Sequence, residues 1–158
     1  MTYSYDTDIS AVQHVPSIEA TLQQVCALTG MGFAAVARVT SERWIACQVL
    51  DRIEFGMKPG DELVLQTTIC DEIRLSGRAV FIDHVGANPE WRTHHTPAMY
   101  GFESYISVPI ILADGSFFGT LCALDPAERE KSLAAALPQL EAMAATIAVE
   151  LDRLRAAA

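Results

Sequence analysis

The sequence feature that most constrains the fold is a pair of apolar runs joined by a short turn. Residues 104–112 and 116–124 are separated only by an alanine and the dipeptide Asp114-Gly115. Asp-Gly between two apolar runs is a strong hairpin signal. Because both runs are apolar almost throughout, each strand is expected to be covered on both faces. Such strands belong in the middle of a sheet.

The remaining patterns predict further strands and helices around this hairpin. Apolar residues recur at helical spacing over residues 15–28 and stop before Gly30. The runs "FAAVARVT" and "RWIACQVL" predict a second hairpin, followed by a loop over residues 51–60. The segment "DELVLQTTICDEIRLSG" predicts a helix and "AVFIDHV" a strand. Residues 86–101 predict a long connection with a turn of helix near 91–95.

This order of elements predicts the α+β class, with a central antiparallel sheet and helices packed on it. The 158 residues, 51% of them hydrophobic, suffice for one domain with a substantial core. We expect a flexible N-terminus over residues 1–14, a single domain over 15–155 and a tail over 156–158.

Charge and hydropathy exclude several kinds of partner. The formal net charge is -9 and the basic residues are dispersed, so we predict no nucleic-acid partner. No run reaches the roughly 18 to 20 apolar residues of a membrane span. The start "MTYSYDTDIS" also lacks the basic and then apolar order of a secretory leader. We therefore expect a soluble cytoplasmic protein with no membrane partner.

The C-terminal segment carries a seven-residue apolar period. Its members are Leu133, Leu137, Leu140, Ala144, Ile147, Leu151 and Leu154. This period is typical of helices that pair with one another, so we predict a homodimer interface formed by these side chains. A helix that covers its own sheet gives a similar stripe, because the two periods diverge by only about 60° over three heptads.

Three passages, in this order and spacing, resemble the GAF domain family of cytoplasmic sensory modules. They are "TTICDEI", "SGRAVFIDHVGANPEW" and "YGFESYISVPIILADGSFFGTLCALDP", and the resemblance covers about residues 15–154. It implies a GAF/PAS-like sheet with N- and C-terminal helices on one face, through which the domain dimerises. On the other face it implies a pocket roofed by helices and loops. The fold determines the place of the pocket but not its ligand.

The candidate pocket wall consists of one cysteine and a group of side chains in the connection before residue 105. The predicted ligand-binding residues are Cys70, Trp91, His95, Tyr100, Phe102 and Ser104. An imidazole beside aromatic rings can donate and accept hydrogen bonds to a ligand. A surface or capping role for the histidines is equally well supported. We expect the adjacent His94 and His95 to point apart, and we predict no metal site.

Other cysteine, tryptophan and aspartate residues are interpreted as structural. The four cysteines are widely spaced within apolar patterns, which favours reduced thiols. Inert packing is favoured for Cys70, although a helix N-terminus would make it more reactive. Trp44 and Cys47 are interpreted as core. Asp83 and Asp125 are predicted to cap turns rather than to form an acid/base pair.

Two kinds of GAF protein use cysteine chemistry and supply the alternative functions. Free-methionine sulfoxide reductases carry a cysteine at a place similar to Cys70 and need a catalytic one before the "VPI" strand. This chain has no cysteine between Cys70 and Cys122, so the same disulfide relay cannot run. Bilin-binding photoreceptor domains commonly attach the chromophore through a cysteine in that connection, where this chain reads "WRTHHTPAMYG". A tetrapyrrole held noncovalently, or linked to Cys70, stays open.

The function predicted from the sequence is that of a non-catalytic sensory domain, with no catalytic residues, that binds an unknown small molecule. The expected partners are a second copy of the chain and an output domain or protein such as a histidine kinase, as in bacterial two-component systems. The alternatives are a phytochrome-like photoreceptor domain and then a thiol enzyme of the reductase type.

Overall fold

The computed structural model describes residues 6–157 and has the α+β fold predicted from the sequence. Its described residues form one six-stranded antiparallel sheet with the order β3-β2-β1-β6-β5-β4. The strands are β1 (Phe33–Val39), β2 (Trp44–Asp51), β3 (Glu62–Leu63), β4 (Val80–Ile82), β5 (Ser104–Ile111) and β6 (Phe117–Asp125).

Helices pack on both faces of this sheet. They are α1 (Asp6–Gln13), α2 (Pro16–Thr29), α3 (Ile69–Ser76), α4 (His95–Tyr100) and α5 (Leu137–Ala157). Short 3-10 turns lie at Leu65–Thr67, Val85–Ala87 and Leu133–Ala135. Within residues 6–157, no helix combines the length and apolarity that a membrane span needs.

Local capping sets the ends of the helices. Pro16 begins α2, and Gly30 ends it in a left-handed conformation with a φ of 72°, which lets its N–H bond the carbonyl oxygen of Cys26. The side chain of Thr68 accepts the N–H of Asp71 and so caps the start of α3.

The hairpin predicted from Asp114-Gly115 is present as β5 and β6. Gly115 has a φ of 87°, and the Asp114 carboxylate accepts the N–H of Ser116 at 2.9 Å. Nearly every residue of both strands is buried, as expected for strands that are covered on both faces.

The pairing of β1 with β6 joins this hairpin to the one formed by β1 and β2. Its register runs from Phe33 opposite Leu124 to Arg38 opposite Gly119. A Cβ at Gly119 would overlap the carbonyl oxygen of Ala37. The sequence therefore has glycine where β6 approaches β1 most closely.

The sheet has one apolar core on each face. The first core includes Leu140 of α5 and Ile106 of β5, and it also receives α1 and α2. The second includes Ile69 of α3 and Tyr105 of β5. Tyr105 and Ile106 are neighbours in one strand and therefore point to opposite faces. The N- and C-terminal helices share the first face, and α3 packs on the second.

The helix predicted over residues 61–77 is shorter in the structure. Only Ile69–Ser76 is α-helical. Glu62 and Leu63 instead pair with β2, and Leu65–Thr67 forms a 3-10 turn. The helical spacing of the apolar residues misled the prediction, because pairing with a strand edge decides the first part of the segment. The helical turn expected near residues 91–95 begins later, as α4.

The N-terminal segment predicted to be flexible contains α1. Val12 of this helix is fully buried, and Asp8 forms an ion pair of 3.1 Å with Arg38 of β1. These contacts explain why residues 6–13 are helical. Residues 1–5 of that prediction, and residue 158 of the predicted tail, lie outside the described residues.

The apolar period of the C-terminal segment faces the chain's own sheet. In the first core Leu133, Leu140, Ala144, Ile147 and Leu151 are buried, and Leu137 and Leu154 pack against it. A single chain buries five of these side chains and partly covers Leu137 and Leu154, so this packing accounts for the period without a partner helix. The dimer interface stays a prediction.

Leu140→Ala is expected to lower the free energy of unfolding by about 2 to 5 kcal/mol, because it opens a cavity beside a fully buried side chain. Val149 lies on the same helix and is 50% exposed. Val149→Ala should change that free energy by less than about 1 kcal/mol. Urea unfolding followed by circular dichroism measures both variants. This packing would be contradicted by two results together: an unchanged free energy of unfolding for Leu140→Ala, and the loss, by light scattering, of a dimer that the parent protein forms.

Candidate functional site

An open groove lies on the second face, between the loop that follows β2 and the end of α4. We call it the outer groove; its volume is about 670 Å³. Its apolar lining is Ile53, Phe55, Met57, Leu63, Tyr100 and Leu124, with Met99 at the end of α4. This volume lies within the range of pockets that hold small organic ligands.

Asp51, the last residue of β2, holds one wall of the outer groove in place. Its carboxylate accepts the backbone N–H groups of Ile53, Phe55 and Gly56 at 3.2, 3.0 and 2.8 Å. Burial alone would raise the pKa of Asp51, but these backbone donors together hold it below its ordinary value. Glu54, which lies between Ile53 and Phe55 in this loop, has a φ of 55°. This conformation costs a non-glycine residue about 1 kcal/mol or more. Asp51 thus maintains a strained loop.

The charged side chains that line the outer groove are acidic. They are Glu54, Asp61 and Glu62, and no basic residue lines the groove in the described part of the chain. Glu62 accepts two hydrogen bonds of 2.7 Å from Arg43, which lower its pKa. Asp61 accepts the backbone N–H of Lys58 at 2.8 Å. Fixed carboxylates attract cations to this groove and repel anions.

Beneath the outer groove lies a much smaller inner cavity of about 40 Å³. Five side chains line both spaces and separate them: Phe55, Met57, Leu63, Tyr100 and Leu124. The far wall is formed by α3 and by strands of the sheet. A space of this size holds one or two molecules as small as water. An organic ligand would have to displace the dividing side chains to enter it.

Cys70, in the first turn of α3, points into the inner cavity. Its Sγ lies 3.2 Å from Oγ1 of Thr120 and 3.4 Å from Oη of Tyr105. Hydrogen bonding from Cys122 is the largest influence on the pKa of Cys70, and with Thr120 and Tyr105 it lowers that pKa despite complete burial. The pKa of Cys122 is raised by the same interaction. Of this pair, Cys70 is the thiol that ionises more readily.

Trp44 is buried in the second core, as the sequence predicted, and it also lines the inner cavity. Among the described residues its Nε1 has no hydrogen-bond partner of ordinary geometry. The N–H is nevertheless close enough to Cys70 to favour the thiolate. A buried donor without a partner is rare in folded proteins. This one lies beside the most easily ionised thiol.

Cys26 and Cys47 are ordinary buried cysteines. Burial raises the pKa of Cys47 to about 12 and also raises the pKa of Cys26. All four cysteines of the chain lie within the described residues and are free, as the sequence predicted. The core role predicted for Cys47 is confirmed.

Half of the predicted ligand-binding residues line the inner cavity, namely Cys70, Tyr100 and Phe102. Trp91 is instead buried in the second core, where its ring lies against that of His94. The hydroxyl of Ser104 donates to the carbonyl oxygen of Ala127 at 2.7 Å. Trp91 and Ser104 line neither the outer groove nor the inner cavity.

His94 and His95 hold the start of α4. Nδ1 of His94 accepts the N–H of Thr96 at 3.1 Å, and its Nε2 lies 3.1 Å from a carboxylate oxygen of Glu72. His95 is exposed, with Nε2 3.3 Å from the carbonyl oxygen of Gln66. The two rings stack 4.4 Å apart, so the expectation that they point apart is wrong. His94 is the extended residue that caps α4, and His95 is the first residue of the helix, so neither a regular strand nor a regular helix holds the pair. The capping and surface roles describe them better than a pocket role.

Two aspartates cap turns, as predicted. Asp83 accepts the N–H of Leu133 at 2.7 Å, and Asp125 accepts the N–H groups of Gly32 and Ala127 at 2.9 and 2.8 Å.

Residues 6–157 contain no cluster of three or more His, Cys, Asp or Glu side chains that could hold a metal ion.

The sequence analysis missed the wall formed by residues 51–63. It described residues 51–60 only as a loop, although Ile53, Phe55 and Met57 alternate there with other residues. Large apolar side chains at every second position of a loop indicate a segment that covers another surface. The proximity of Cys122 to Cys70 has no comparable sequence signal, since the two belong to distant elements.

Solved structures with the same fold belong to proteins of different activity. Free methionine-R-sulfoxide reductase from Neisseria meningitidis is 18% identical, with 95% of this chain and 87% of that chain covered and a TM-score of 0.68. The GAF domain of PixJ from Thermosynechococcus elongatus, in its blue-light absorbing form, is 15% identical, with 98% and 91% covered and a TM-score of 0.69. The GAF domain of an Acinetobacter phosphoenolpyruvate-protein phosphotransferase is 12% identical, with 99% and 98% covered and a TM-score of 0.69. Identities this low show a shared fold alone.

A comparison with curated proteins found no match. The family model of the GAF domain, however, matches residues 17–151, which is most of the chain. The antiparallel sheet, with terminal helices on one face and the groove on the other, agrees with that match. By sequence and by fold, the chain belongs to the GAF domain family.

Proposed function

We propose that this chain is a non-catalytic sensory domain that binds a small molecule in the outer groove. The observation that carries the proposal is the groove itself, with its volume of about 670 Å³ and a wall held rigid by Asp51. The groove combines apolar side chains with placed polar groups, as small-molecule sites do.

The lining favours a ligand with an apolar body and a positive charge. The rings of Phe55 and Tyr100 lie 6.4 Å apart and supply aromatic surface, which attracts organic cations. The carboxylates of Glu54 and Asp61 lie in the same groove. In the described ion pairs, Arg43 is joined to Glu62 and no cation is joined to Glu54 or Asp61. Phosphate-containing ligands such as cyclic nucleotides would be repelled.

The two alternative functions have less support. A tetrapyrrole linked to Cys70 does not fit, because the space around that thiol is about 40 Å³. A noncovalent bilin would bring its carboxylates against the acidic lining of the outer groove. A reductase of the free-methionine sulfoxide type would need a cysteine between Cys70 and Cys122, where the sequence has none.

The proposed signal passes from the groove to α5 through β5 and β6. Tyr105 of β5 and Cys122 of β6 lie in the second core, beside the inner cavity. Their strand neighbours Ile106 and Ala123 lie in the first core, which includes α5. Displacement of the wall on one face would therefore shift strands on which the terminal helix rests. We propose that a second copy of the chain, or an output domain such as that of a histidine kinase, responds to the outer face of α5.

An aromatic cation should bind this protein and a matched anion should not. Titration of benzyltrimethylammonium is expected to shift the methyl NMR signals of Met57 and Met99, which line the outer groove. 3-Phenylpropionate should leave both signals in place. Glu54→Gln and Asp61→Asn should each weaken cation binding about 2- to 5-fold, the size expected for charges near solvent.

Glu141→Gln is the matched control, because Glu141 is exposed on α5, far from the groove in the sequence and on the other face of the sheet. It should leave the affinity unchanged. Equal binding of cation and anion, or binding of the cation without any shift at the two methionines, would contradict the outer groove as a cation site.

The loop wall should loosen in acid. Since the folded-state pKa of Asp51 is lowered, its charged form stabilises the loop fully above the ordinary aspartate pKa, and this stabilisation is lost as the pH falls through the folded value. Protection factors for the amides of Phe55 and Gly56, from hydrogen exchange, should be constant above about pH 4, the ordinary aspartate pKa, and fall below it. Asp51→Asn should lower them at neutral pH, and Glu141→Gln should not. Protection in the parent that does not vary with pH would contradict this role of Asp51.

A further inference from the structure

Cys70 and Cys122 form a thiol pair that the proposed sensory function does not use. Both line the inner cavity, Cys70 from α3 and Cys122 from β6. Thr120 lies two residues before Cys122 on the same face of β6 and also contacts Cys70. We propose that this pair is a dithiol that reacts with hydrogen peroxide and becomes a disulfide between α3 and β6. The proposal does not depend on the ligand of the outer groove.

The surroundings of Cys70 make it the attacking thiol. Tyr105 and Thr120 place hydroxyl groups within 3.4 and 3.2 Å of its sulfur. These groups, with Cys122, lower the pKa of Cys70, and a thiolate is the nucleophilic form of cysteine. The titratable groups that face Cys70 are Tyr105 and Cys122, whose own pKa values are raised, so both keep their protons. Cys122 is therefore available as the neutral second thiol.

The inner cavity suits hydrogen peroxide by its size. Hydrogen peroxide has two heavy atoms, and a space of about 40 Å³ accepts a molecule little larger than water. The dividing side chains, among them Tyr100 and Met57, also line the outer groove, so a small oxidant enters from there. Bulky organic hydroperoxides would be excluded.

The indole N–H of Trp44 gives the cavity a hydrogen-bond donor that the described residues leave without a partner. Trp44 and Cys70 line the same cavity, so in the proposed reaction this N–H is a donor for a peroxide oxygen bound there. A donor at that place stabilises negative charge on oxygen as the O–O bond breaks.

The reaction balances in two steps. The Cys70 thiolate attacks one peroxide oxygen, an S–O bond forms and the O–O bond breaks. The departing hydroxide takes the proton that the Cys70 thiol released on ionising and becomes water. The sulfur of Cys122 then attacks the sulfur of the Cys70 sulfenic acid, an S–S bond forms as the S–O bond breaks, and the leaving hydroxyl group departs as a second water with the proton of the Cys122 thiol. Two thiols lose two electrons in all, and one hydrogen peroxide is reduced to two waters. A small dithiol such as dithiothreitol reverses the change.

Peroxide treatment of the intact chain tests the proposal. The reduced protein has four thiols that N-ethylmaleimide can label after unfolding, and hydrogen peroxide should leave only two. Peptide mapping should show a disulfide that joins Cys70 to Cys122. The rate of thiol oxidation should rise with pH and reach its plateau at a pH lower than about 8.5, which is the pKa of an ordinary cysteine. Cumene hydroperoxide should react at least about tenfold more slowly, because the cavity excludes it.

Variants separate the two steps. In the Cys122→Ser variant the reaction should stop at a sulfenic acid on Cys70, which dimedone traps. In the Cys70→Ser variant, N-ethylmaleimide should still label Cys122 after peroxide treatment. Cys47→Ser, in the same sheet, should form the disulfide at the parent's rate. Circular dichroism checks that each variant is folded. The peptide map of the oxidised parent protein tests the disulfide even if a variant does not fold. Oxidation of Cys26 or Cys47 as fast as of Cys70, or a parent that keeps all four thiols, would overturn the proposal.

Discussion

The antiparallel pairing of β1 with β6 is the constraint on which the rest of the structure depends. One wall of the outer groove is the loop after β2, and the opposite wall is α4 with the end of β6. Those walls belong to different hairpins, and the β1–β6 ladder is what joins them. The absence of a side chain at Gly119 permits this approach. A change in that ladder would therefore move the two walls of the groove relative to each other.

Two spaces with different chemistry lie one beneath the other on the same face. The outer groove is lined by carboxylates such as Glu54. The inner cavity is small, and hydroxyl groups lie within hydrogen-bond distance of the Cys70 sulfur there. The side chains of Phe55 and Tyr100 belong to both spaces. A ligand in the groove would rest on the same rings that separate the thiols from solvent, so occupancy of the groove would slow oxidation of Cys70.

Most elements of this fold could be predicted from local patterns, although α1 and β3 were not, and much of the candidate site could not be predicted. The Asp114-Gly115 hairpin and the helix before Gly30 follow from turn chemistry and periodicity over a few residues. The heptad period around Leu140 was ambiguous, because a helix on a sheet and a helix in a dimer bury similar stripes. The meeting of Cys70 with Cys122 depends on where α3 lies across β6, which no local pattern encodes. The ligand-binding residues were predicted near position 95 because histidines and aromatic residues cluster there. His94 and His95 instead form hydrogen bonds at the start of α4.

The long separation in sequence of β1 and β6 also bears on how the chain is made. Phe33 pairs with Leu124, so the centre of the sheet cannot close until almost the whole domain has left the ribosome. Until then β1, whose residues are nearly all buried in the finished sheet, has β2 on one edge and no partner on the other. Contacts this distant slow folding, and an apolar strand with an open edge is prone to pair with other chains. The open edge of β1 is therefore exposed to such pairing until β6 arrives.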